Sequence, residues 1–198
     1  MPDTGAPHFI PFADPTNLVR DWPALSEDVA EAVADGLDAA GGLVAVKSAI
    51  FTGVQASTID AGSAVDITDL VLSHAVSDAA NKVVLIAIVG QVAASNIVRG
   101  VGGQITAGGT PVLLGDADGS RVRVQSMFGE ATGTGGRIAG NLIYGAVHTP
   151  GTTASVEYKA QAISVGSGTI FINRSNSDSN STSFARSAST LILMEVKV

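Results

Sequence analysis

From Leu43 onward, apolar and polar side chains tend to alternate with a period of two, and no long helical pattern interrupts them. Such alternation turns one face of each segment toward a core and the other toward water or a partner. Gly-rich stretches such as Gly108-Gly109 and 133–136 separate the segments and are typical of turns. The pattern predicts an all-β body of eight to ten short strands, and that number favours a jelly-roll β-sandwich.

The predicted strands fall into two kinds. Segments 121–125 and 154–162 alternate strictly, which predicts half-buried strands. Segments 82–89 and 191–194 are apolar on both faces, so both faces should be covered, either inside a sandwich or at a subunit interface. Further strands are predicted at 43–51, 65–68, 91–98, 110–114, 136–147 and 169–173.

Negative charge is concentrated ahead of this body. Residues 1–46 contain eight acidic side chains and one basic side chain, so they carry the whole formal net charge of −7. The remaining residues contain ten of each sign and no basic stripe, whereas a nucleic-acid site needs clustered cations. The sequence therefore predicts an acidic leader and a neutral body (43–198), and nucleic acid is not an expected partner.

Within the leader, a short helix is predicted from about Trp22 to about Ala40, in the segment 21–42. Asp21 can cap its first turn, Pro23 suits the first helical positions, and Gly41-Gly42 ends it. A single apolar stripe needs burial against the chain's own body or against copies of the helix. Self-association is the favoured alternative, with the stripe packed about a three-fold axis: Leu25, Val29, Val33 and Leu37.

Residues 1–20 combine four prolines with an apolar cluster at Phe9, Ile10 and Phe12. Proline opposes a regular helix, so the segment is either a frayed terminus or an extended arm. An arm that docks on another chain is favoured, because an exposed apolar cluster usually marks a partner surface. The predicted docking residues are Phe9, Ile10, Phe12, Arg20 and Trp22.

The sequence contains no recognisable catalytic or metal motif. Without cysteine there is no disulfide framework or thiolate chemistry, and the longest apolar run, 83–89, is far shorter than the ~20 residues of a membrane span. The stretch 115–119 begins like a calcium loop, but Met127 stands where a bidentate acid is required, so a tight hairpin turn is predicted. We expect no enzymatic activity, no cofactor, no metal and no membrane partner.

A Ser/Asn-rich segment at 173–183 joins two apolar strands. It is either a solvated hairpin tip or a surface loop that contacts a glycan or a protein. The candidate receptor residues in and beside it are Asn173, Arg174, Asn176, Asp178, Asn180, Phe184 and Arg186.

Two stretches of the chain resemble phage virion proteins. NLVRDWPALSEDVA (17–30) and GLVAVK (42–47) are similar to the arm, short helix and first strand of minor tail and fibre proteins of actinobacterial phages. HTPGTTASVEYKAQA (148–162), INRS (172–175) and ASTLILMEV (188–196) are similar to the last strands of phage fibre head domains. The resemblance implies a homotrimeric, TNF-like jelly roll that is tied together by N-terminal helices and attached to the virion.

Two functions are compatible with this resemblance. In the first, the protein is a short trimeric fibre or spike whose β domain projects outward and adheres to a host-surface glycan or protein. In the second, it is a capsid or tail decoration protein that stabilises the particle without binding a receptor. The absence of shaft repeats between helix and body favours a position near the particle surface. In both cases the expected partners are two further copies and other phage capsid or tail proteins, which the arm contacts.

Overall fold

A computed structural model describes residues 42–95, 100–129, 139–178, 180 and 186–198 of the protein. These residues form strands and turns, and residues 43–198 belong to one compact unit. No helix that could cross a membrane occurs in this part of the chain. The predicted arm and the predicted leader helix lie outside the described residues, and so does Phe184.

Eleven strands in the described residues form two antiparallel sheets. Sheet A contains β1 (Leu43–Phe51), β2 (Gln55–Ile59), β4 (Lys82–Ala94), β8 (Ala139–His148), β10 (Gly168–Ile172) and β11 (Ser189–Val196). Sheet B contains β3 (Ala64–His74), β5 (Val101–Ala107), β6 (Thr110–Val112), β7 (Ser126–Phe128) and β9 (Val156–Ser164).

The strand pairing is nested from the ends of the body inward. β1 pairs with β11, β3 with β9, β4 with β8, and β5 with β7. The resulting orders are β1-β11-β4-β8 in sheet A and β3-β9-β5-β7 in sheet B. A long hairpin that folds over itself gives this arrangement, which is that of a jelly roll. The predicted β-sandwich is therefore confirmed.

The core lies between the two sheets. Leu85 and Leu193 from sheet A and Ile105 and Tyr158 from sheet B are fully buried there. Burying side chains of this size contributes about 1.5–3 kcal/mol each. One face of each sheet therefore forms the core.

Close packing explains why β5 was not predicted from the sequence. Its sequence, VGGQITA, lacks a clear alternation, yet all seven residues are buried. A Cβ on Gly103 would collide with the Tyr144 ring, and one on Gly102 would collide with Val124. Glycine at both positions therefore allows neighbouring side chains to cover both faces of β5. Because these glycines replace the apolar or polar side chains of an ordinary strand, the sequence shows no alternation there.

At two sheet edges the chain pairs with its neighbour, leaves as a loop, and then pairs with the same edge again. β6 and β7 both pair with one edge of β5, and residues 113–125 between them form what we call the sheet B excursion. β10 and β11 both pair with one edge of β4, and residues 173–188 between them form the sheet A excursion. Each loop is thus an insertion in an otherwise continuous edge pairing.

The strand predicted at 121–125 is wrong. Val122 and Val124 are half-buried and Arg121 and Arg123 are exposed, so the alternation is present. However, these residues belong to the sheet B excursion and form no strand ladder. Val124 packs over Gly102 instead. Alternation reports which side chains face the protein, and here that contact is with the outside of a sheet.

The stretch 115–119 lies in the same excursion. Gly119 has a positive φ of 58°, and the Arg121 amide donates to the Asp118 carbonyl at 3.2 Å. The Gly115 amide donates to the carbonyl of Val124 at 3.4 Å, which brings the two arms of the loop together. This geometry agrees with the predicted turn.

Candidate assembly face and surface loops

The outward side of sheet A carries a continuous apolar surface, which we call the assembly face. Strand register aligns its residues in three rows across β1, β11, β4 and β8. The rows are Val46-Met194-Val84-Val147, Ser48-Ile192-Ile86-Gly145 and Ile50-Thr190-Ile88-Ile143. Nine of these twelve positions hold a large aliphatic side chain or methionine, so the face has the composition of a core layer.

Much of this surface is accessible to water. The exposed fractions are 57% for Val46, 62% for Ile50, 63% for Ile143 and 59% for Val147. By contrast, the inward-facing residues of the same strands, such as Leu85, are fully buried. Segments 82–89 and 191–194 were predicted to be covered on both faces. Within one chain, only their inner face is covered.

The size of the assembly face can be taken from sheet geometry. Four strands about 4.8 Å apart and five residues of about 3.4 Å each give an area on the order of 300 Å². Patches of this size on a monomer are often functional, while one side of a standard protein interface covers about 800 Å². The assembly face is thus large enough to form the centre of an interface but requires further surface around it.

Asn173 is not an exposed loop residue, which corrects the expectation that it faces a receptor. It is fully buried, with φ at 60°, a left-handed conformation that asparagine tolerates. Its Nδ2 donates to the carbonyls of Phe51 (2.9 Å) and Gly53 (3.0 Å), and its Oδ1 accepts from Ser189 Oγ at 2.6 Å. The side chain joins β1 to β11 at the base of the sheet A excursion.

The charged candidates in this excursion are bound to one another. Asp178 Oδ2 lies 3.3 Å from Arg174 Nη1 and 3.0 Å from Arg186 Nη2, and the Arg186 Nε donates to Asp178 Oδ1 at 3.1 Å. The Arg174 guanidinium lies 4.7 Å from the centre of the Phe171 ring. Its Nη2 also donates to the Asn176 carbonyl at 3.1 Å. These contacts join Phe171, Arg174, Asn176, Asp178 and Arg186 within the chain.

The remaining candidates differ in exposure. Asn176 is half-buried, whereas Asn180 and Arg186 are exposed. Among the candidates that the structure describes, Asn180 and Arg186 are thus the exposed ones.

A buried carboxylate that sequence reasoning missed lies at the opposite end of the sandwich. Glu195 is 1% exposed, and its Oε1 accepts from the Ser77 amide (2.8 Å), Ser77 Oγ (2.7 Å) and Asn81 Nδ2 (2.7 Å). Its Oε2 lies 2.8 Å from His74 Nε2. The alternation of β11 places Glu195 on the same inward face as Leu193, which is the signal that could have revealed it.

The hydrogen bonds decide the ionisation of this carboxylate. Burial raises the pKa of Glu195, but the donors on Asn81, Ser77 and His74 favour the charged form and together lower the pKa from 4.5 to about 2. The network ties the 75–81 crossover between the sheets to β11. We assign it a structural role.

Among the residues that the structure describes, no group of three or more His, Asp or Glu side chains is arranged to hold a metal ion. No family model matches the chain, and no curated protein matches its sequence.

Proposed function

We propose that the protein is a structural virion component of a phage: a short trimeric spike or fibre whose β domain projects outward and adheres to the host surface. The observation that carries the proposal is the assembly face, because an apolar sheet surface of this extent favours association with another protein. Identical copies are the partners favoured here, since a closed ring buries the same surface on every subunit.

The leader supplies the rest of the proposed architecture. In the proposed trimer, the stripe at Leu25, Val29, Val33 and Leu37 packs about the three-fold axis, and the arm at 1–20 attaches the trimer to another virion protein. This division of roles follows the resemblance to phage tail and fibre proteins.

Light scattering on the full-length protein tests the oligomer. We expect a mass three times that of the 19.9 kDa chain. Ile192→Asp, at the centre of the assembly face, should shift the mass toward the monomer, because a carboxylate buried in an apolar interface costs several kcal/mol. Val71→Asp, an exposed apolar position in sheet B, serves as the control and should leave the mass unchanged. A monodisperse monomer of the unaltered protein would contradict the trimer.

The location of the protein on an imaged particle tests the broader function. Copies at the tail tip support the adhesive spike. Copies arrayed over the capsid lattice support the alternative, a decoration protein, which the lack of shaft repeats after the leader favours. Absence from the particle would contradict both.

A further inference from the structure

The outward side of sheet B is polar, unlike the assembly face. Gln104 Nε2 donates to Gln161 Oε1 at 2.6 Å, and Gln161 Nε2 donates to Asp66 Oδ1 at 2.6 Å. Lys159 Nζ lies 3.2 Å from Asp66 Oδ2. The Lys159 and Asp66 side chains are 30% and 47% exposed, whereas Arg121 and Asp118 of the loop over this sheet, the sheet B excursion, are 79% and 67% exposed. The more accessible charged groups on this side therefore belong to the loop.

The sheet B excursion reaches the end of the sandwich opposite Leu43, where the leader joins the body. Leu43 pairs with Val196 at one end of the strands, whereas the 60–63 turn connects β2 and β3 at the other. A methyl carbon of Val122 lies 3.7 Å from the position that a Cβ would take on Gly62, in that turn. The excursion thus reaches the end of the sandwich away from Leu43.

The base of the excursion is fixed by one glutamine. The Gln125 amide donates to the Gly103 carbonyl at 2.9 Å, and its side-chain Oε1 accepts from the Ile105 amide at 3.2 Å. Its Nε2 donates to the carbonyl of Val112. These bonds replace strand pairing where the chain leaves and re-enters the sheet edge, so the loop is held in place at both ends.

The tip of the excursion is polar and fully exposed. Residues 115–121 read Gly-Asp-Ala-Asp-Gly-Ser-Arg, and each of them is exposed. Arg121 Nη1 lies 2.7 Å from Asp118 Oδ2, with both side chains more than 60% exposed. Hot spots of protein interfaces are enriched in Trp, Tyr and Arg. Residues 113–125 contain no Trp or Tyr, and the one exposed large hydrophobic side chain among them, Leu113, lies at the base of the loop.

We propose that the tip of the sheet B excursion, with Asp116, Asp118 and Arg121 as contact residues, is the host-binding surface and takes a hydroxyl-rich glycan. Carboxylates accept and a guanidinium donates hydrogen bonds, a combination that suits neighbouring sugar hydroxyls. This inference rests on the proposed adhesive function and assigns its ligand class and its location.

The sheet A excursion is the weaker candidate for the same role. The side chains of Arg174 and Asp178 in it are 19% and 18% exposed, against 79% and 67% for the Arg121–Asp118 pair at the tip of the sheet B excursion. The chain returns to sheet A beside Gly90, two residues after Ile88 of the assembly face. Copies that associate through the assembly face would crowd it, whereas the sheet B excursion lies on the opposite side of the sandwich and stays accessible.

The test measures binding of fluorescently labelled full-length protein to a panel of actinobacterial cells. The variant combines Asp116→Ala, Asp118→Ala and Arg121→Ala, and the matched control combines Asn180→Ala and Arg186→Ala in the sheet A excursion. Thermal unfolding and light scattering show whether both variants keep the fold and the oligomer. Cells are left untreated, oxidised with periodate, which cleaves vicinal diols, or treated with protease.

We expect the triple variant and periodate treatment each to reduce binding by at least about tenfold, which corresponds to about 1.4 kcal/mol. The control variant and protease treatment should leave it within about twofold, or roughly 0.4 kcal/mol. Full binding by a folded triple variant would overturn the location, and loss of binding after protease but not periodate would overturn the glycan. Both outcomes leave the adhesive function standing. An unaltered protein that binds no strain in the panel would overturn adhesion and this inference with it.

Discussion

Replacing Glu195 with glutamine should remove a large part of the acid sensitivity of the fold. The native carboxylate has a pKa of about 2 against an ordinary value of 4.5. At about 1.4 kcal/mol for each pKa unit, this difference corresponds to about 3 kcal/mol of folding free energy. Because the pKa is lowered in the folded state, this stability is present above pH 4.5 and is lost as the pH falls toward 2.

Urea unfolding at several pH values, at one protein concentration, measures the effect. At pH 7 we expect Glu195→Gln to be about 3 kcal/mol less stable, since a neutral carboxamide offers one acceptor oxygen where the buried carboxylate offers two charged ones. Near pH 2 the Glu195 carboxylate of the unaltered protein becomes protonated and its stabilising effect is lost. The difference in unfolding free energy between the two proteins should therefore shrink by most of that ~3 kcal/mol.

Taking the difference between the two proteins cancels the titration of all other carboxylates. Glu157→Gln, which makes the same chemical change at an exposed position, should shift stability by less than about 1 kcal/mol at every pH. A gap between Glu195→Gln and the unaltered protein that stays constant from pH 7 to pH 2 would refute the reasoning.

Two further substitutions probe the packing of the sandwich. Gly103→Ala should cost about 1–3 kcal/mol because its methyl group collides with the buried Tyr144 ring. Gly115→Ala, whose methyl group would make only an ordinary contact with the Val124 carbonyl oxygen at 3.6 Å, should cost well under ~1 kcal/mol; urea midpoints that fall equally would contradict this account. Asn173→Ala should cost about 3 kcal/mol through unpaired carbonyls and a strained left-handed residue, whereas exposed Asn180→Ala should be nearly neutral. Thermal unfolding of both asparagine variants measures the comparison, and equal midpoints would show that the Asn173 bonds do not stabilise the sheet.

The sequence predicted the strands whose side chains alternate or are uniformly apolar, and it missed those shaped by close contacts. β1 was predicted with its observed bounds, Leu43–Phe51, where an apolar run begins after Gly41-Gly42. The predicted segments 82–89 and 91–98 proved to be parts of the single strand β4, Lys82–Ala94, with an irregularity between Val89 and Gln91. One sequence cannot show that such a break is a bulge rather than a turn.

The candidate sites were harder to predict than the strands. The apolar residues of the assembly face were visible in the sequence, but their alignment into rows depends on register between β1 and β11, which are about 140 residues apart. Composition drew attention to Asn173, whose buried role depends on carbonyls from a distant strand. Hydrogen bonds between residues far apart in sequence, rather than the local amino-acid composition, decide which polar side chains are exposed to solvent.

The two strand interruptions also bear on how such a protein can change over evolutionary time. In each, the flanking strands hold their register on β5 or β4 independently of the loop, and an amide side chain closes the base. Because the free energy of closing a loop rises slowly with its length, residues between the clamps can be lengthened, shortened or exchanged with little effect on the sandwich. If the proposed phage function holds, a recognition loop can be replaced in one recombination step. Foreign peptides grafted between residues 114 and 124 should be displayed on a folded body.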